Sequence, residues 1–288
     1  MTSLKRNHHY VPQFWQRYFA NQAGQLYARR EGDMAKVASP KTLMSGDWIY
    51  TVFDTDWLAS DTVEDALSQA EGAAAAACRS LISSSAPNAT TQSALIKFVA
   101  LQACRHPDML GLAHRRGKEL GAVIAEVHSM SESEFVNALA PYGVEATSAS
   151  GMFAVLKSVP QAQLDAELEE LNVLSPHDPQ LPQTDSLLAQ SDVERQLVTM
   201  DLIVLDAPPP MQFVLGDTPV PQGDLRLGFV VPITKSIALN FQPAQRSGAP
   251  SCTRRAASRS EVDACNRWQF DNALKMTVGS DPAGLNAL

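Results

Sequence analysis

The hydrophobic pattern of this 288-residue chain changes its period once, and this change constrains the fold more than any other feature. From about 61 to 173, apolar residues recur at helical spacing, and 73–77 is an uninterrupted run of alanine, the best helix former. After about 190, apolar residues form short runs separated by turn-forming residues, which is typical of strands. The chain is therefore predicted to be α+β and mainly α, with a helical body and a small antiparallel sheet formed largely by the C-terminal third.

Local patterns place the individual elements. Helices are predicted at 12–20, 61–83, 90–104, 107–130, from 131 onward, 148–156, 161–173 and 260–278. Strands are predicted at 25–29, 47–53, 202–205, 213–215, 228–233 and 236–241. The remaining C-terminal segments are expected to lack regular structure, with 244–259 a mobile loop and the last ten residues disordered.

The length suits one large domain with a substantial core, since a chain near 300 residues buries roughly 75% of its unfolded surface. We predict a single domain over 1–288. Its helical body would span about 1–174, a Pro-, Gln- and Asp-rich loop 175–190, and the small sheet with a closing helix about 191–280.

Charge and cysteine usage limit the setting in which the protein works. The net charge of −8 and a pI near 5.2 favour solubility and count against non-specific binding to nucleic acid. The four cysteines form no C-x-x-C pair, which indicates a reducing compartment without a disulfide framework. There is no apolar run of about 18 residues and no signal-like N-terminus, so a cytoplasmic protein without a membrane partner is expected.

The densest group of unusual polar residues is the segment 7–13, Asn-His-His-Tyr-Val-Pro-Gln. His8 and His9 come directly before a predicted helix N-terminus, where free N–H groups and the helix dipole favour an anion such as phosphate. Histidine there can serve as an acid or base, donate to phosphate or bind a metal. The alternative, which stays open, is that both rings hydrogen-bond to nearby backbone.

Two further segments carry charged residues at positions suited to a cleft. Arg105 follows an apolar helix that Pro107 ends, and its alternative role is to complement the helix dipole. Asp217 lies in a Gly-Asp-Thr-Pro turn after a buried strand, as catalytic or metal-binding carboxylates often do. The alternative for Asp217 is an Asx-turn that caps its own loop.

Other polar residues favour simpler explanations. Asn266 is interpreted as a hydrogen-bonding residue that fixes the last helix, or as a ligand-binding amide. Glu64 and Glu71 share one helix face, which is usually a solvated face. A basic stretch could contact phosphate or simply be a solvated loop, and it contains Arg246, Arg254, Arg255 and Arg259, with Arg267 following.

Several catalytic signatures are absent from the sequence. It has no G-x-x-x-x-G-K, G-x-G-x-x-G, H-E-x-x-H or G-x-S-x-G motif. P-loop NTPases, dinucleotide oxidoreductases and standard α/β-hydrolases are therefore disfavoured.

Segments from both ends and the middle of the chain resemble a bacterial and phage-associated family of domains of unknown function. The N-terminal signature is Arg-Asn-His-His-Tyr-Val-Pro-Gln-Phe at 6–14 with Arg17 and Phe19, and family members open with His-Tyr-Val-Pro-Gln-Phe. Further matching positions are Tyr50 with Glu64 and Glu71, Gln102 with Arg105 and Pro107, the segment 213–220, and Asn266 with Asn272 and Ala273.

The chain departs from the family pattern at three places. Gln16 replaces a leucine, His106 replaces a threonine, and Gly-Asp-Thr at 216–218 replaces Ser-Asp-Asn. The missing serine weakens any role for a catalytic hydroxyl there. The family has no established activity, so the resemblance implies a shared fold and site position rather than a function.

We hypothesise that these distant motifs converge on one cleft. The predicted catalytic residues are His9, Asp217, Arg105 and His8. The predicted substrate-binding residues are Gln13, Arg17 and Asn266. His9 would be the general base or a metal ligand, Asp217 a metal ligand or the group that orients His9, and Arg105 the partner of an anionic substrate group.

Such a set without a nucleophile motif fits hydrolysis of phosphoesters best. The expected enzyme is a nuclease or nucleotide-processing hydrolase, with Mg or Mn as the candidate divalent metal, in a toxin or phage-defence setting. Its ligand would be a small phosphorylated molecule or nucleic acid. The alternative is a non-catalytic module that binds a ligand or protein, such as an immunity protein.

Overall fold

The computed structural model describes residues 5–53, 59–60, 62–83, 87–106, 118–142, 144–170, 189–222, 224–244 and 250–288. The chain forms two compact units, here called unit 1 and unit 2. Unit 1 comprises Met1–Pro107 and Ser186–Leu288, and unit 2 comprises Asp108–Asp185. The division differs from the predicted helical body and sheet, because N-terminal residues supply strands to unit 1. The single-domain organisation stays a prediction, and most of the expected loop 175–190 lies outside the described residues.

Unit 1 mixes helices and strands. Its helices are α1 (Gln13–Arg17), α2 (Thr62–Ser83), α3 (Ala89–Ala103), α8 (Gln190–Leu197), α9 (Arg259–Asp271) and α10 (Pro282–Asn286). Its N-terminal strands are β1 (Asn7–His9), β2 (Leu26–Arg29), β3 (Lys36–Ala38), β4 (Ser45–Asp47), β5 (Val52–Phe53) and β6 (Ala59–Ser60). Its C-terminal strands are β7 (Asp201–Asp206), β8 (Leu215–Gly216), β9 (Phe229–Thr234), β10 (Ile237–Gln242), β11 (Cys252–Ala256) and β12 (Thr277–Gly279).

Two four-stranded sheets organise unit 1. The first comes entirely from the C-terminal third, in the order β11-β7-β10-β9, with β7, β10 and β9 antiparallel and β11 parallel to β7 at the edge. The second is antiparallel, in the order β3-β2-β12-β8, and joins the two ends of the chain. Two short ribbons, β1–β4 and β5–β6, complete the described strands.

The helices α2 and α3 form because their sequences supply both the signals and the apolar faces. Asn88 caps α3 by accepting a hydrogen bond from the Thr91 backbone N–H at 2.8 Å. Phe98 on α3 is buried and packs edge-on against Trp15 of α1 at 4.8 Å between ring centroids. The Trp15 indole also donates to the Pro232 carbonyl at 3.1 Å, so α1 is held between α3 and the first sheet. This anchoring fixes the residues of β1 that come directly before α1.

Unit 2 is helical in its described part. Its helices are α4 (described over 118–125), α5 (Glu132–Leu139), α6 (Ala146–Ser158) and α7 (Gln161–Glu170), with short 3-10 turns at Val127–Ser129 and Ala140–Tyr142. Ser131 and Glu134 form a capping box at the start of α5, as a Ser-x-x-Glu sequence predicts. Phe135, Leu139 and Leu164 belong to its own buried core.

The prediction of an α+β, mainly α fold is confirmed, and four local predictions are wrong. Residues 252–256 are strand β11 rather than loop, because Arg254 binds Asp206 and the backbone pairs with β7. The closing helix ends at Asp271, and 277–279 instead join a sheet. The last ten residues are ordered in α10, whose N-terminus Asp281 caps. The predicted strand 47–53 is divided between β4 and β5.

Candidate functional site

His8 is fixed in one orientation by two backbone groups. The Tyr50 backbone N–H donates to Nδ1 at 2.9 Å, so Nε2 carries the proton that is donated to the Lys5 carbonyl at 2.8 Å. The ring is fully buried and stacks on the Tyr50 ring, with 5.8 Å between centroids and an interplanar angle of 11°. With both nitrogens engaged, His8 connects β1 to the chain around residue 50.

His9 is held less completely than His8. Its Nε2 lies 3.0 Å from the Pro40 carbonyl oxygen, which can only accept, so Nε2 is the protonated nitrogen. Nδ1 therefore has a lone pair, which the Gln13 amide nitrogen faces at a long 3.4 Å, and the Lys41 backbone is a further hydrogen-bonding neighbour of the ring. Burial lowers the pKa of His9 below its usual value of 6.5, and nearby Arg105 acts in the same direction. The ring is therefore an oriented, unprotonated base at neutral pH.

A row of polar side chains extends from His9 along α1. Gln13 and Arg17 follow at intervals of four residues, which places successive side chains on one side of a helix. Arg17 donates to the Gln13 side-chain oxygen at 2.8 Å, and its guanidinium is exposed. This row therefore connects the His9 ring, through the Gln13 amide, to the solvent-accessible guanidinium of Arg17.

Arg105 lies directly behind His9. Its side chain is 1% exposed and donates to the His9 backbone carbonyl at 2.7 Å, while a second guanidinium nitrogen contacts a Glu71 carboxylate oxygen at 2.7 Å. The Tyr50 hydroxyl donates to the Arg105 carbonyl at 2.6 Å, and the Tyr50 ring lies 5.3 Å from the guanidinium. The prediction that Arg105 grips an anionic substrate does not fit this burial. Its contacts make it a positioning residue for His9.

Two glutamates of α2 belong to the same group of residues, although a solvated face was expected. The Glu71 side chain is 24% exposed and the Glu64 side chain 14%, and burial raises the pKa of Glu64. Both face inward because the chain from Lys5 to His9 lies along α2. We call this group the Arg105 cluster, defined as His8, His9, Tyr50, Glu64, Glu71 and Arg105.

The Arg105 cluster is bordered by buried polar atoms without a hydrogen-bond partner among the described residues. They include Glu64 Oε2 within the cluster, Thr51 Oγ1 next to Tyr50, and Gln102 Nε2 one helical turn before Arg105. Unsatisfied buried atoms are rare in folded proteins, and several together call for a specific explanation such as a ligand or bound water. The sequence contained one signal for this region, since Tyr50, Glu64, Glu71 and Gln102 all match the family pattern.

Asp217 lies in a different environment. Its carboxylate is 1% exposed and accepts backbone N–H bonds from Leu274 and Lys275 at 2.8 Å each and from Met276 at 3.2 Å. Burial raises its pKa although these bonds act in the opposite direction. The expectation that Asp217 orients His9 is wrong, because the His9 ring nitrogens contact Pro40 and Gln13 instead. The Asp217 carboxylate caps the backbone at 274–276, far along the chain, rather than its own turn.

Asn266 also joins two backbone segments. Its side-chain oxygen accepts from the Val214 N–H at 2.9 Å, and its nitrogen donates to the Gln212 carbonyl at 2.8 Å. Gln269, which the sequence did not single out, joins two backbone segments in the same way one turn later. Its side-chain oxygen accepts from the Gly216 N–H at 2.8 Å, and its side-chain nitrogen donates to the Pro219 carbonyl at 3.0 Å. A Cβ on Gly216 would lie 2.5 Å from the Gln269 carbonyl oxygen, so this close approach requires glycine. Both amides fasten α9 to the segment that precedes and contains Asp217.

Two arginines of the basic C-terminal stretch are paired with carboxylates, whereas Arg259 and Arg267 are exposed on α9. Arg254 forms a two-point contact with Asp206 at 2.6 and 2.8 Å, and Arg255 does so with Glu261 at 2.6 and 3.0 Å. Arg246, like Pro107 and Asp61, lies outside the described residues. For 252–256 the interpretation as a mobile loop is therefore replaced by a strand that carries two ion pairs.

Two searches over the described part of the chain bear on the predicted partners. No group of three or more His, Cys, Asp or Glu side chains is arranged to hold a metal ion. No described helix has the length and hydropathy to cross a bilayer.

The fold and the site define a class: an α+β protein in which a buried arginine fastens the histidines of an N-terminal strand to a long helix. A family model described as "Protein of unknown function (DUF4238)" matches residues 7–283. The chain belongs to this family, so the predicted membership in a family of domains of unknown function is confirmed. No match was found among curated proteins or among solved structures.

Proposed function

We propose that this protein is a phosphoester hydrolase in which His9 is the general base and Arg17 binds the anionic group of the substrate. The observation that carries the proposal is the state of the His9 ring. Its Nε2–H is fixed on the Pro40 carbonyl, its pKa is lowered, and its Nδ1 faces the row that ends at exposed Arg17. A base oriented by a backbone carbonyl and unprotonated at neutral pH is suited to deprotonating water.

In the proposed reaction, Gln13 leaves Nδ1, which its long 3.4 Å contact permits, and a water molecule takes its place. Nδ1 accepts a proton from this water as its oxygen bonds to phosphorus. The ester P–O bond breaks, and the leaving oxygen takes a proton from solvent. The Arg17 guanidinium offsets the negative charge of the phosphoryl oxygens.

The remaining members of the Arg105 cluster have supporting roles in this proposal. Arg105 holds the backbone of His9 through its carbonyl, and Glu71 holds Arg105. His8 fixes β1 to residue 50. None of these side chains needs to reach the substrate, which agrees with the burial of Arg105 and His8.

The net charge of −8 favours a nucleotide or another small phosphorylated molecule over a long nucleic acid. In a toxin or phage-defence setting the protein would act in the cytoplasm, where its free cysteines stay reduced. Asp217 and Asn266 have no part in this proposal, because their hydrogen-bonding groups hold backbone of the same unit.

The test is a hydrolysis screen with nucleotides, RNA, single- and double-stranded DNA and a generic phosphodiester, each with Mg or Mn and with chelator. Three proteins are compared: wild type, His9→Ala and His128→Ala. His128 is the matched control, because its Nε2 lies 2.9 Å from the Val159 carbonyl in unit 2. We expect turnover by wild type and His128→Ala and a loss of about 100-fold or more in His9→Ala, as for removal of a general base.

One observation favours a second function, a non-catalytic ligand-binding module. Each ring nitrogen of His8 and His9 already has a partner, so both histidines can be purely structural. No turnover on any substrate, together with a melting temperature of His9→Ala well below that of wild type, would establish this alternative and reject the hydrolase.

A further inference from the structure

Away from the Arg105 cluster, unit 1 contains a cavity of about 450 Å³ beside the first sheet. Its lining comes from the approach to β9, from β9 and β10, and from α9. The volume lies within the range of roughly 300–1,000 Å³ typical of small-molecule sites. The residues that matter for its chemistry are Leu227, Phe229, Asn240, Ala264, Cys265 and Trp268.

Asn240 is the unusual member of this lining. It lies on β10, a central strand whose backbone pairs at this position with Ile203 on one side and Val230 on the other. Its side chain is 6% exposed and makes no hydrogen bond within the described residues. A carboxamide is disfavoured in a central strand, and the amide atoms of Asn240 are not among the fully buried unpaired atoms of the described residues, so they remain accessible from the cavity.

The walls around Asn240 are mainly apolar. Phe229 belongs to the lining, but its ring stacks on that of its strand partner Phe241, with 5.0 Å between centroids, on the opposite face of the sheet from Asn240. Trp268 is half-buried on the facing helix, and Leu227 is 80% exposed at the rim. Burial raises the pKa of the Cys265 thiol to about 12, so this group adds uncharged surface. Such walls suit a planar ring that stacks on the Trp268 indole.

The charges at the rim argue against an anionic ligand. Asp224 and Glu261 belong to the lining, and the described lining residues include no basic side chain. Both carboxylates are paired outside the cavity, Asp224 with Arg226 and Glu261 with Arg255. A phosphate at this rim would therefore find no free cation among the lining residues, whereas a neutral ligand needs none.

We infer that this cavity is a binding site for a neutral planar heterocycle of the nucleobase type, recognised at its edge by the Asn240 carboxamide. An asparagine side chain presents one acceptor oxygen beside a donor NH₂ group. It therefore matches a ring edge with an adjacent donor and acceptor, as in the pairing of asparagine with adenine. The inference is independent of the proposed hydrolase, since it involves no residue of the Arg105 cluster.

The first test titrates adenine, cytosine and uracil into wild type and Asn240→Leu, following the intrinsic tryptophan fluorescence, to which Trp268 contributes, and, independently, the heat of binding. We expect saturable binding of at least one base to wild type and a loss of about tenfold or more in Asn240→Leu, within the discrimination of an amide–base pair. The melting temperature of Asn240→Leu should equal or exceed that of wild type, because the amide has no partner to lose.

Two probes refine the assignment. If adenine binds, 6-methylpurine, which lacks the amino donor, should bind as weakly to wild type as adenine does to Asn240→Leu. AMP should bind no more tightly than adenine, because the described lining residues offer its phosphate no free cation.

A second variant keeps the test decisive if Asn240→Leu is unstable. Ala264→Phe should fill the cavity from an exposed helix position and abolish base binding, and Asp263→Phe, at the adjacent exposed position that does not line the cavity, should bind as wild type does. The inference is overturned if no base binds saturably up to its solubility limit, or if Ala264→Phe binds as well as Asp263→Phe.

Discussion

Asp217 and Arg105 are both charged, both 1% exposed and both in unit 1, yet the protein surrounds them differently. The Asp217 carboxylate is satisfied by three consecutive backbone N–H groups at 274–276. The Arg105 guanidinium instead contacts a carbonyl on β1 and a carboxylate on α2. Polar atoms of Glu64 and Gln102 near Arg105 have no hydrogen-bond partner in the part of the chain that the structure describes.

The difference separates two uses of a buried charge. A carboxylate whose short hydrogen bonds go to one backbone segment holds that segment and has little acceptor capacity left for a ligand. Natural proteins break the rule that buried polar atoms are hydrogen-bonded mainly at functional sites. The Arg105 cluster combines residues from several elements and has unsatisfied buried atoms beside it, so it is the better candidate for a functional site. Four predictions test this distinction.

The largest expected effect is that of Asp217→Ala. It leaves the N–H groups of 274–276 buried without their acceptor, and should lower the free energy of unfolding by about 3 kcal/mol. Chemical denaturation measures this change. Thr218→Val is the control, since the Thr218 hydroxyl lies a marginal 3.5 Å from the carboxylate, and it should cost under about 1 kcal/mol. Equal losses in both variants would contradict the structural role of Asp217.

Arg105→Lys should come next, at about 2 kcal/mol, because an ammonium cannot reproduce the two-directional contact with His9 and Glu71. The same substitution at Arg226, whose pair with Asp224 is exposed, should leave the melting temperature unchanged. If Arg105→Lys were as harmless as Arg226→Lys, the guanidinium would not be the centre of the cluster.

The same substitution, Glu to Gln, should lower the stability at one glutamate of α2 but not at the other. Glu71→Gln removes the charge that faces Arg105 and should lower the free energy of unfolding by about 1 kcal/mol. Glu64→Gln should leave the stability at pH 7 unchanged or raise it, because burial raises the pKa of Glu64 and so disfavours its ionised form. Thermal unfolding at pH 7 decides between them, and a matching loss in both variants would reject the assigned roles.

The smallest effect is a pH dependence that belongs to His9. The pKa of His9 is lowered from 6.5 in the folded protein, so below pH 6.5 the unfolded chain binds more protons than the folded protein does. The free energy of unfolding therefore decreases as the pH falls below 6.5. Glu64 acts with the opposite sign because its pKa is raised. The measurement is therefore the melting temperature of wild type minus that of His9→Gln, which should decrease below pH 6.5. A difference that is flat with pH would show that the His9 ring is not held unprotonated.

The sequence predicted elements whose signals are local. The alanine run and the Asn88 and Ser131 caps define α2, α3 and α5 without reference to the rest of the chain. Strand β11 was missed because its Arg-rich sequence resembles a loop, and only pairing with β7 and Asp206 makes it a strand. The C-terminal residues 277–286 were mispredicted for the same reason, since β12 exists through its partners β2 and β8.

The candidate site was predicted only in part, because its assembly also depends on contacts between segments that are far apart in the sequence. His8, His9, Gln13, Arg17 and Arg105 do lie together, and the family pattern pointed to Tyr50 and the two glutamates as well. Helical periodicity showed that Glu64 and Glu71 share a face of α2, but not that the face is covered by β1. The turn around Asp217 revealed a capping carboxylate, but not that its donors lie near residue 275.

The second sheet of unit 1 also sets an order of events during synthesis. Arg29 of β2 donates to the carbonyl of Leu285, 256 positions later, and β2 pairs with β12. At roughly 5–20 residues per second, the ribosome takes on the order of 15–50 seconds to supply those partners. Unit 2 is contiguous and has its own core, so it can fold during this interval. The N-terminal strands, with their unpaired edges, are therefore the part of the nascent chain most in need of a chaperone.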